Sequence, residues 1–534
     1  MADWKKVEVV KQENWHRKGD QQLGVLYDEK LKVRKRREWR GVKDTMYDYW
    51  RWLGTMKLLI CFIAKPRSIK GMFRYRWMAN YLAVPHMLDK FTIGLRDEPL
   101  RITRVAMDYV VKDVALCIEN AFKGDRRTGN NKKFSDICVL TDENAMTAFM
   151  MGFPQLKAIL REIPTMFSAN LLNQWSTVHY IDVAQEYGIP GDVCPMPEAE
   201  AGISIDDDFC VLGKCAVQVN TTCDGSMMGN GVIAKRLEEE YGIPTFQLAA
   251  PLRHTQDDVK DYAANDIKKA IAFIEEQCNT KWDWDGYFAC AKRVNDTTKN
   301  RWHWLEVNST NYPQFVGAAF SLYNDTNYMG NCGRSPEFPK IDKKINKLVD
   351  QGYKNKTMMA PEYRHRCVVW GVQPQYVIDM LYWMIHCWGV VPLTDMLSMV
   401  THEYIAEEDT PENREQAYYD MAMLNMNMIM RNKTHGGYEV LVDELWKYCD
   451  EMNADMVMMW EHMSCKALDG MHGQFEEQAR ARGIHLVWVC HDLCDPRVYT
   501  RQAIRDEFNM YMRTVMREEP LDPTIEVIPD NEAW

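Results

Sequence analysis

Two stretches of this chain alternate short apolar runs with segments of helical period, and that alternation restricts the fold more than any other feature. In the first stretch, Asp136 to Leu140 (DICVL) and Ala216 to Asn220 (AVQVN) are too short for helices. Val232 to Tyr241 follows with Ile233, Leu237 and Tyr241 four apart, Gly242 stops it, and Thr245 to Ala249 (TFQLA) resumes as a strand. That order is a βαβ unit with turn residues in the expected places. In the second stretch, Arg366 to Val372 reads as a strand. Val377, Met380, Leu381, Met384, Ile385 and Trp388 then form one apolar helical stripe closed by Gly389. Val390 to Leu393, Asp455 to Trp460 and His485 to Cys490 read as strands, and Phe475 to Arg482 and Arg501 to Met516 as helices. Strands alternating with helices predict parallel sheets covered on both faces. The expected organisation is a helical N-terminal extension (1–130), an α/β domain (131–290), a helical connector (291–362) and a second α/β domain (363–534). Within the connector, the polar stretch 331–361 reads as a linker.

The formal net charge of −11 gives no basic surface for nucleic acid. A basic run, Lys32 to Arg40, reads as a solvated helix face or a subunit contact, with a phosphate patch as the alternative. The first residues lack the apolar core of a signal peptide. The longest apolar run, Met56 to Ala64, is far short of the ~20 residues of a membrane span and reads as a buried strand or helix segment. A cytoplasmic protein with reduced thiols is therefore expected, and its 16 cysteines are not disulfide halves. Most should be small buried hydrophobes, and a few metal or cluster ligands.

In open α/β sheets ligands bind beyond the carboxyl ends of the strands. Cys223 closes the strand AVQVNTT, Cys465 closes DMVMMWEHMS, and Cys194 follows a turn-and-strand segment, Gly188 to Val193. No Cys-x-x-Cys pair exists in the chain, which removes zinc-ribbon and ferredoxin patterns. Three thiolates from separate loops can still hold an iron–sulfur cluster; the alternative is that each is a core cysteine. The run GSMMGNG (225–231) reads as the tight turn behind Cys223, with phosphate binding at a helix N-terminus as the alternative. No nucleotide-hydrolysing motif is present, so any ATP use belongs to a partner. His402-Glu403 lacks the second histidine of a zinc protease.

Several segments carry a resemblance. AQEYGIPGDVCPMPEAEAG (184–202), VQVNTTCDG (217–225) and FQLAAP (246–251) resemble the 2-hydroxyacyl-CoA dehydratase family, which is related to the ATP-dependent benzoyl-CoA reductases. So do RCVVWGVQPQYVIDMLYWMIHCWGVVPLTDML (366–397), EHMSCKAL (461–468), GIHLVWVCHDLCDPR (483–497) and TRQAIRDEF (500–508). The resemblance covers about 165–290 and 363–520. It implies two flavodoxin- or Rossmann-like units flanking a [4Fe–4S] cluster held by Cys194, Cys223 and Cys465. Cys210, Cys215, Cys490 and Cys494 match no ligand position.

The implied activity is radical dehydration of a 2-hydroxyacyl-CoA to an enoyl-CoA through a ketyl, started by one electron. Partners implied are a paralogous dehydratase or reductase subunit and an ATP-hydrolysing iron–sulfur activator, with no membrane and no nucleic acid. The alternatives are an aryl-CoA reductase subunit, a non-catalytic electron-relay subunit, and an α/β binding protein without a cluster. The acid/base candidates are His179, upstream of Cys194 where the family has substrate-facing loop residues, and Glu198, four residues beyond Cys194. His462 and Glu461, beside Cys465, come second. Ser464 and Thr222 adjoin ligand cysteines and would hydrogen-bond cluster sulfur. The chain departs from the family in its long N-terminal part and in loops rich in Trp and Met.

Overall fold

The computed structural model describes residues 4–11, 41–128, 131–142, 147–161, 167, 171–220, 223–249, 251, 256–398, 404–427 and 438–528. The basic run 32–40, Thr222 and the His402-Glu403 pair lie outside the described residues.

A short strand, β1 (Val10–Lys11), precedes four helices: α1 (Val42–Ile63), α2 (Pro66–Arg74), α3 (Val84–Thr92) and α4 (Asp97–Gly124). The first α/β unit runs through α5 (Lys132–Ser135), β2 (Cys138–Thr141), β3 (Lys157–Leu160), α6 (Gln174–Tyr187), α7 (Pro195–Ile205), β4 (Cys215–Asn220), α8 (Asp224–Tyr241), β5 (Thr245–Ala249) and α9 (Asp257–Cys278). Three helices, α10 (Trp284–Asn308), α11 (Ala318–Asn324) and α12 (Phe338–Asn355), then lead to β6 (Glu362–Tyr363). The second unit contains β7 (His365–Trp370), α13 (Met380–Trp388), β8 (Val390–Asp395), α14 (Pro411–Met426) and α15 (Tyr438–Glu451). It ends with β9 (Met456–His462), α16 (Lys466–Asp469), α17 (His472–Arg482), β10 (His485–His491) and α18 (Arg501–Tyr511).

Both four-stranded sheets are parallel throughout. Their orders are β3-β2-β4-β5 and β10-β9-β7-β8. Counted from the first strand of each unit, both orders are second, first, third, fourth. The chain therefore reverses its direction of travel between the first and third strands of each sheet. A crevice opens at such a reversal, beyond the carboxyl ends of the two strands.

The structure revises several expectations. The boundary at 290 falls inside the continuous helix α10. The stretch 331–361 is no open linker: Phe338, Ile345 and Val349 bury one face of α12, which packs on α4. Helix α4 itself buries most of its residues and joins the core of both units, so the N-terminal part is built into the molecule rather than appended to it. Residues 417–426, expected within the second domain, pack into the core of the first unit beside α9. Met56 to Ala64 lies mostly in α1, where Leu59 and Phe62 are buried but Ile60 and Cys61 are exposed. The outward face of α1 carries Met46, Trp50, Leu53 and Ile60 in the open, and Gly54 between them has nothing within 4 Å of a would-be Cβ. Among the described residues no helix is long and apolar enough to cross a membrane.

The amino ends of the second sheet gather the first described residues and the segment around Glu518. β1 pairs antiparallel with β6, and Trp4 stacks on His485 at 4.5 Å. His365 is buried between Asp455 (Nδ1 to Oδ2, 2.7 Å) and Glu518 (Nε2 to Oε1, 2.9 Å). Burial alone would lower its pKa, but the two carboxylate hydrogen bonds outweigh it and raise it to about 9. A histidine raised in the fold stabilises fully below its ordinary pKa and loses that contribution as pH rises through the raised value. Unfolding free energy is therefore expected to fall by roughly 2–3 kcal/mol between about pH 7 and pH 10. Urea unfolding at a series of pH values checks it, and His365→Gln removes that dependence.

Candidate functional site

Cys223 lies three residues beyond the end of β4, and Cys465 three residues beyond the end of β9. These are the third strands of their sheets, so both thiols stand at the reversal point of a unit, at equivalent steps. Each is the residue on which a helix begins: Cys223 caps α8 and accepts from the Ser226 backbone N–H (3.3 Å), and Cys465 caps the single turn α16. Cys194 caps α7, with Pro195 in the first helical position. The segment before it is a turn that leaves α6 through Gly188 in the left-handed region, with no strand. The sequence has Cys223 close the strand AVQVNTT and Cys465 close DMVMMWEHMS; β4 stops at Asn220 and β9 at His462, so both thiols lie beyond the carboxyl ends.

The glycine-rich run 225–231 is the opening of α8 and not a tight turn. Gly225 and Gly229 face α7. A Cβ on Gly225 would lie 3.3 Å from the Cβ of Cys194, and one on Gly229 would lie 2.8 Å from the carbonyl oxygen of Pro197. The absent side chains let the two cysteine-bearing helices touch. Gly229→Ala is expected to cost about 1–3 kcal/mol, because a backbone carbonyl cannot swing aside as a side chain can. A urea titration checks this.

Chain from the second unit closes over the same corner. Gln375, in the loop after β7, points its Nε2 at the Met196 sulfur (3.7 Å), and Arg497 reaches Asp182 on α6 (2.8 Å). All three cysteines are partly buried and free. Burial pushes the Cys194 thiol well up, and Cys223, Cys465 and Asp492 add to the rise. Burial likewise raises Cys223, and raises Cys465 to about 11 with a contribution from Cys223. The three thiols thus sense one another, and three thiolates would repel without a cation among them. Among the described residues no three His, Cys, Asp or Glu side chains converge as a single metal ion requires. The donor set, three free cysteine thiols from separate loops, is of the kind that suits an iron–sulfur group. A bound cluster would draw off the thiol protons that burial otherwise holds.

Glu198 lies on the same helix as the Cys194 cap, and its backbone N–H bonds to the Cys194 carbonyl (3.4 Å). The side chain is 2% exposed and its Oε1 has no hydrogen-bond partner. Burial raises its pKa to about 7; Gln185 opposes the rise, Asp492 and Asp495 add to it, and Arg497 offsets it. Asp492, in the loop after β10, is itself raised to about 6 by burial, although its carboxylate accepts from the Cys494 and Asp495 backbone N–H groups. A carboxyl that is half neutral at pH 7 can both give and take a proton.

His179 is not in this corner. It sits on helix α6, not in a loop, with Nε2 2.9 Å from Asp206 and 2.7 Å from Arg76. Asp206 ends α7 and Cys194 begins it, so an eleven-residue helix, about 16 Å, separates them. His462 and His491 end the adjacent strands β9 and β10 and stack at 5.5 Å. Burial keeps both neutral, lowering them to about 4 and about 3. The Cys465 backbone N–H donates to the His462 carbonyl (2.7 Å). Glu461 turns away to His472 (3.1 Å). Ser464 precedes Cys465 and is part-exposed.

Sequence reading missed Lys466, Asp192 and Asp224. Each is within two residues of a site cysteine, and the Lys466 ammonium lies 2.6 Å from Asp224 and 3.3 Å from Asp192. The visible signal was a charged residue beside each thiol. What linear sequence withholds is that the three charges meet.

Comparison with known proteins adds one match. The family model described as 2-hydroxyglutaryl-CoA dehydratase, D-component, matches residues 167–507, more than half of the chain and all three cysteines. No protein in the curated collection matches the chain.

Proposed function

The chain belongs to the 2-hydroxyglutaryl-CoA dehydratase, D-component family, and we propose that it is the iron–sulfur subunit of an enzyme that dehydrates a 2-hydroxyacyl-CoA to an enoyl-CoA. The observation that supports the reading is that Cys194, Cys223 and Cys465, from two units, lie near enough to raise one another's pKa, with a buried carboxyl poised near neutrality on the helix that Cys194 caps. Those three sulfurs would hold a [4Fe–4S] cluster. When bound, it supplies one electron at low potential and a Lewis-acid position for the thioester oxygen.

The remaining chemistry falls to the chain's own residues. Glu198, in its neutral form, gives its proton to the departing hydroxyl, which leaves as water. The proton that the substrate loses from the neighbouring carbon restores Glu198, so one carboxyl serves both transfers and the atoms balance. Burial keeps it protonated, the charges of Asp492 and Asp495 add to that, and Arg497 limits how far. Gln375 and Met196 cover the corner and limit the entry of water.

In this reading the electron comes from an ATP-hydrolysing iron–sulfur activator, as the resemblance implies, and any ATP use belongs to that partner. A paralogous chain completes the enzyme. The exposed apolar face of α1 supports such a partner, because a patch of that kind on a water-facing helix marks a protein contact. Gly54 at its centre leaves room for a close helix approach.

Anaerobic purification with iron and sulfide analysis, EPR and acyl-CoA binding tests the reading. A brown protein with about four irons per chain supports it. A colourless, folded, iron-free protein that binds no acyl-CoA overturns it.

A further inference from the structure

We propose that Lys466 is a positioning residue, an ionic clasp that holds the Cys465 loop of the second unit against the two thiols of the first. The proposal rests on the cluster reading above. Cys194 and Cys223 need no such help. They belong to one unit, and the glycines of α8 lock their helices by close backbone contact. Cys465 comes from the other unit, 242 positions beyond Cys223, and among the described residues no backbone hydrogen bond ties its loop to them.

Lys466 follows Cys465 directly and crosses the gap. Its ammonium meets Asp224, the residue after Cys223 (2.6 Å), and Asp192, two residues before Cys194 (3.3 Å). One cation thereby touches the flanks of both other cysteines. Asp224 is anchored in turn: its Oδ1 accepts from the Gly225 backbone N–H (3.0 Å), and Gly225 packs on Cys194. All three side chains are largely in solvent, at 57%, 73% and 45% exposure. The clasp is therefore weak enough for salt to open, and it sits at the rim of the site rather than inside it. Its loosening should let the third thiol drift from its metal without unfolding either unit.

The test uses the full chain, purified anaerobically, as wild type, Lys466→Met, Lys466→Arg and the double variant Asp192→Asn/Asp224→Asn. Iron release to a chelator is followed with thermal unfolding and the EPR spectrum of the reduced protein. Lys466→Met and the double variant should release iron about tenfold faster, the combined effect expected of two exposed ion pairs. Lys466→Arg should stay within about twofold, because the charge is kept. Raising salt from about 0.05 M to about 0.5 M should speed release from the wild type and leave Lys466→Met unmoved. The EPR line shape should broaden in Lys466→Met, and the unfolding midpoint should stay within about 2 °C of the wild type. Release from Lys466→Met at the wild-type rate overturns the clasp, as does faster release matched by an equal fall in the unfolding midpoint. If the wild type holds no iron, the cluster reading fails separately. The clasp is then read from maleimide labelling of Cys465: faster labelling in Lys466→Met supports it, and an unchanged rate overturns it.

Discussion

Replacing Cys194, Cys223 or Cys465 by Ala, one at a time, is expected to strip iron from the anaerobically purified protein, whereas Cys210→Ala leaves it. The difference follows from placement. The three site cysteines each start a helix at the corner where the units meet and are partly open. Cys210 is buried near Tyr75 and Asp125, away from any strand reversal, and burial pushes its thiol well up with no neighbouring site thiol. A three-thiolate set has no spare ligand, so each loss should take iron from about four per chain to below about one. Stability should respond in the opposite order. Cys210→Ala removes a packed core sulfur and costs about 1–2 kcal/mol, whereas the less deeply buried site cysteines cost less in the iron-free chain. Iron analysis beside urea unfolding separates the two patterns. Equal iron loss in all four variants would show that the ligand set is wrong.

Legibility of the fold depended on where side-chain pattern and tertiary packing agree. β5 and β10 are apolar runs bounded by turn residues, and reading them needed no knowledge of their neighbours. β3 carries little strand signal, because its four residues, KAIL, begin with an exposed lysine at the edge of the sheet. The opening of α8 was read as a turn because Gly225, Gly229 and Gly231 oppose a helix on propensity alone; contact with Cys194 and Pro197 overrides that preference. In α12 the apolar period was present at Phe338, Ile345 and Val349, but the polar residues between them resembled a linker.

The site divides the same way. Residue types and their distance from a strand end located the thiols, because topology converts strand ends into one edge of a sheet. His179, expected among loop residues, lies on helix α6, and its imidazole leaves on the side of Arg76 and Asp206. Which way a residue faces depends on what packs against the helix, and that information is spread over three elements far apart in the chain.

Glu198→Gln carries the other large expectation. Glutamine keeps the size and the hydrogen bonds of the acid but cannot pass a proton. Turnover should fall by about 10²–10³, with iron content and acyl-CoA affinity unchanged. The pH profile gives a second signature. Glu198 donates only while protonated, and its pKa is raised to about 7. Activity limited by that donation should fall about tenfold per pH unit above about pH 7 in the wild type and be flat there in the variant.

Stability should move the other way. A carboxyl raised in the fold binds its proton more tightly folded than unfolded between about pH 4.5 and 7. The wild type therefore loses stability as pH rises through that window, by roughly 2–3 kcal/mol as an upper bound. Glu198→Gln has no such loss and should be the more stable protein at about pH 8. An inactive variant that unfolds at higher urea than the wild type marks a carboxyl kept for its chemistry at the expense of the fold. An inactive variant that is also less stable would place Glu198 among the packing residues and leave the proton transfers to another group, with Asp492 the nearest by charge.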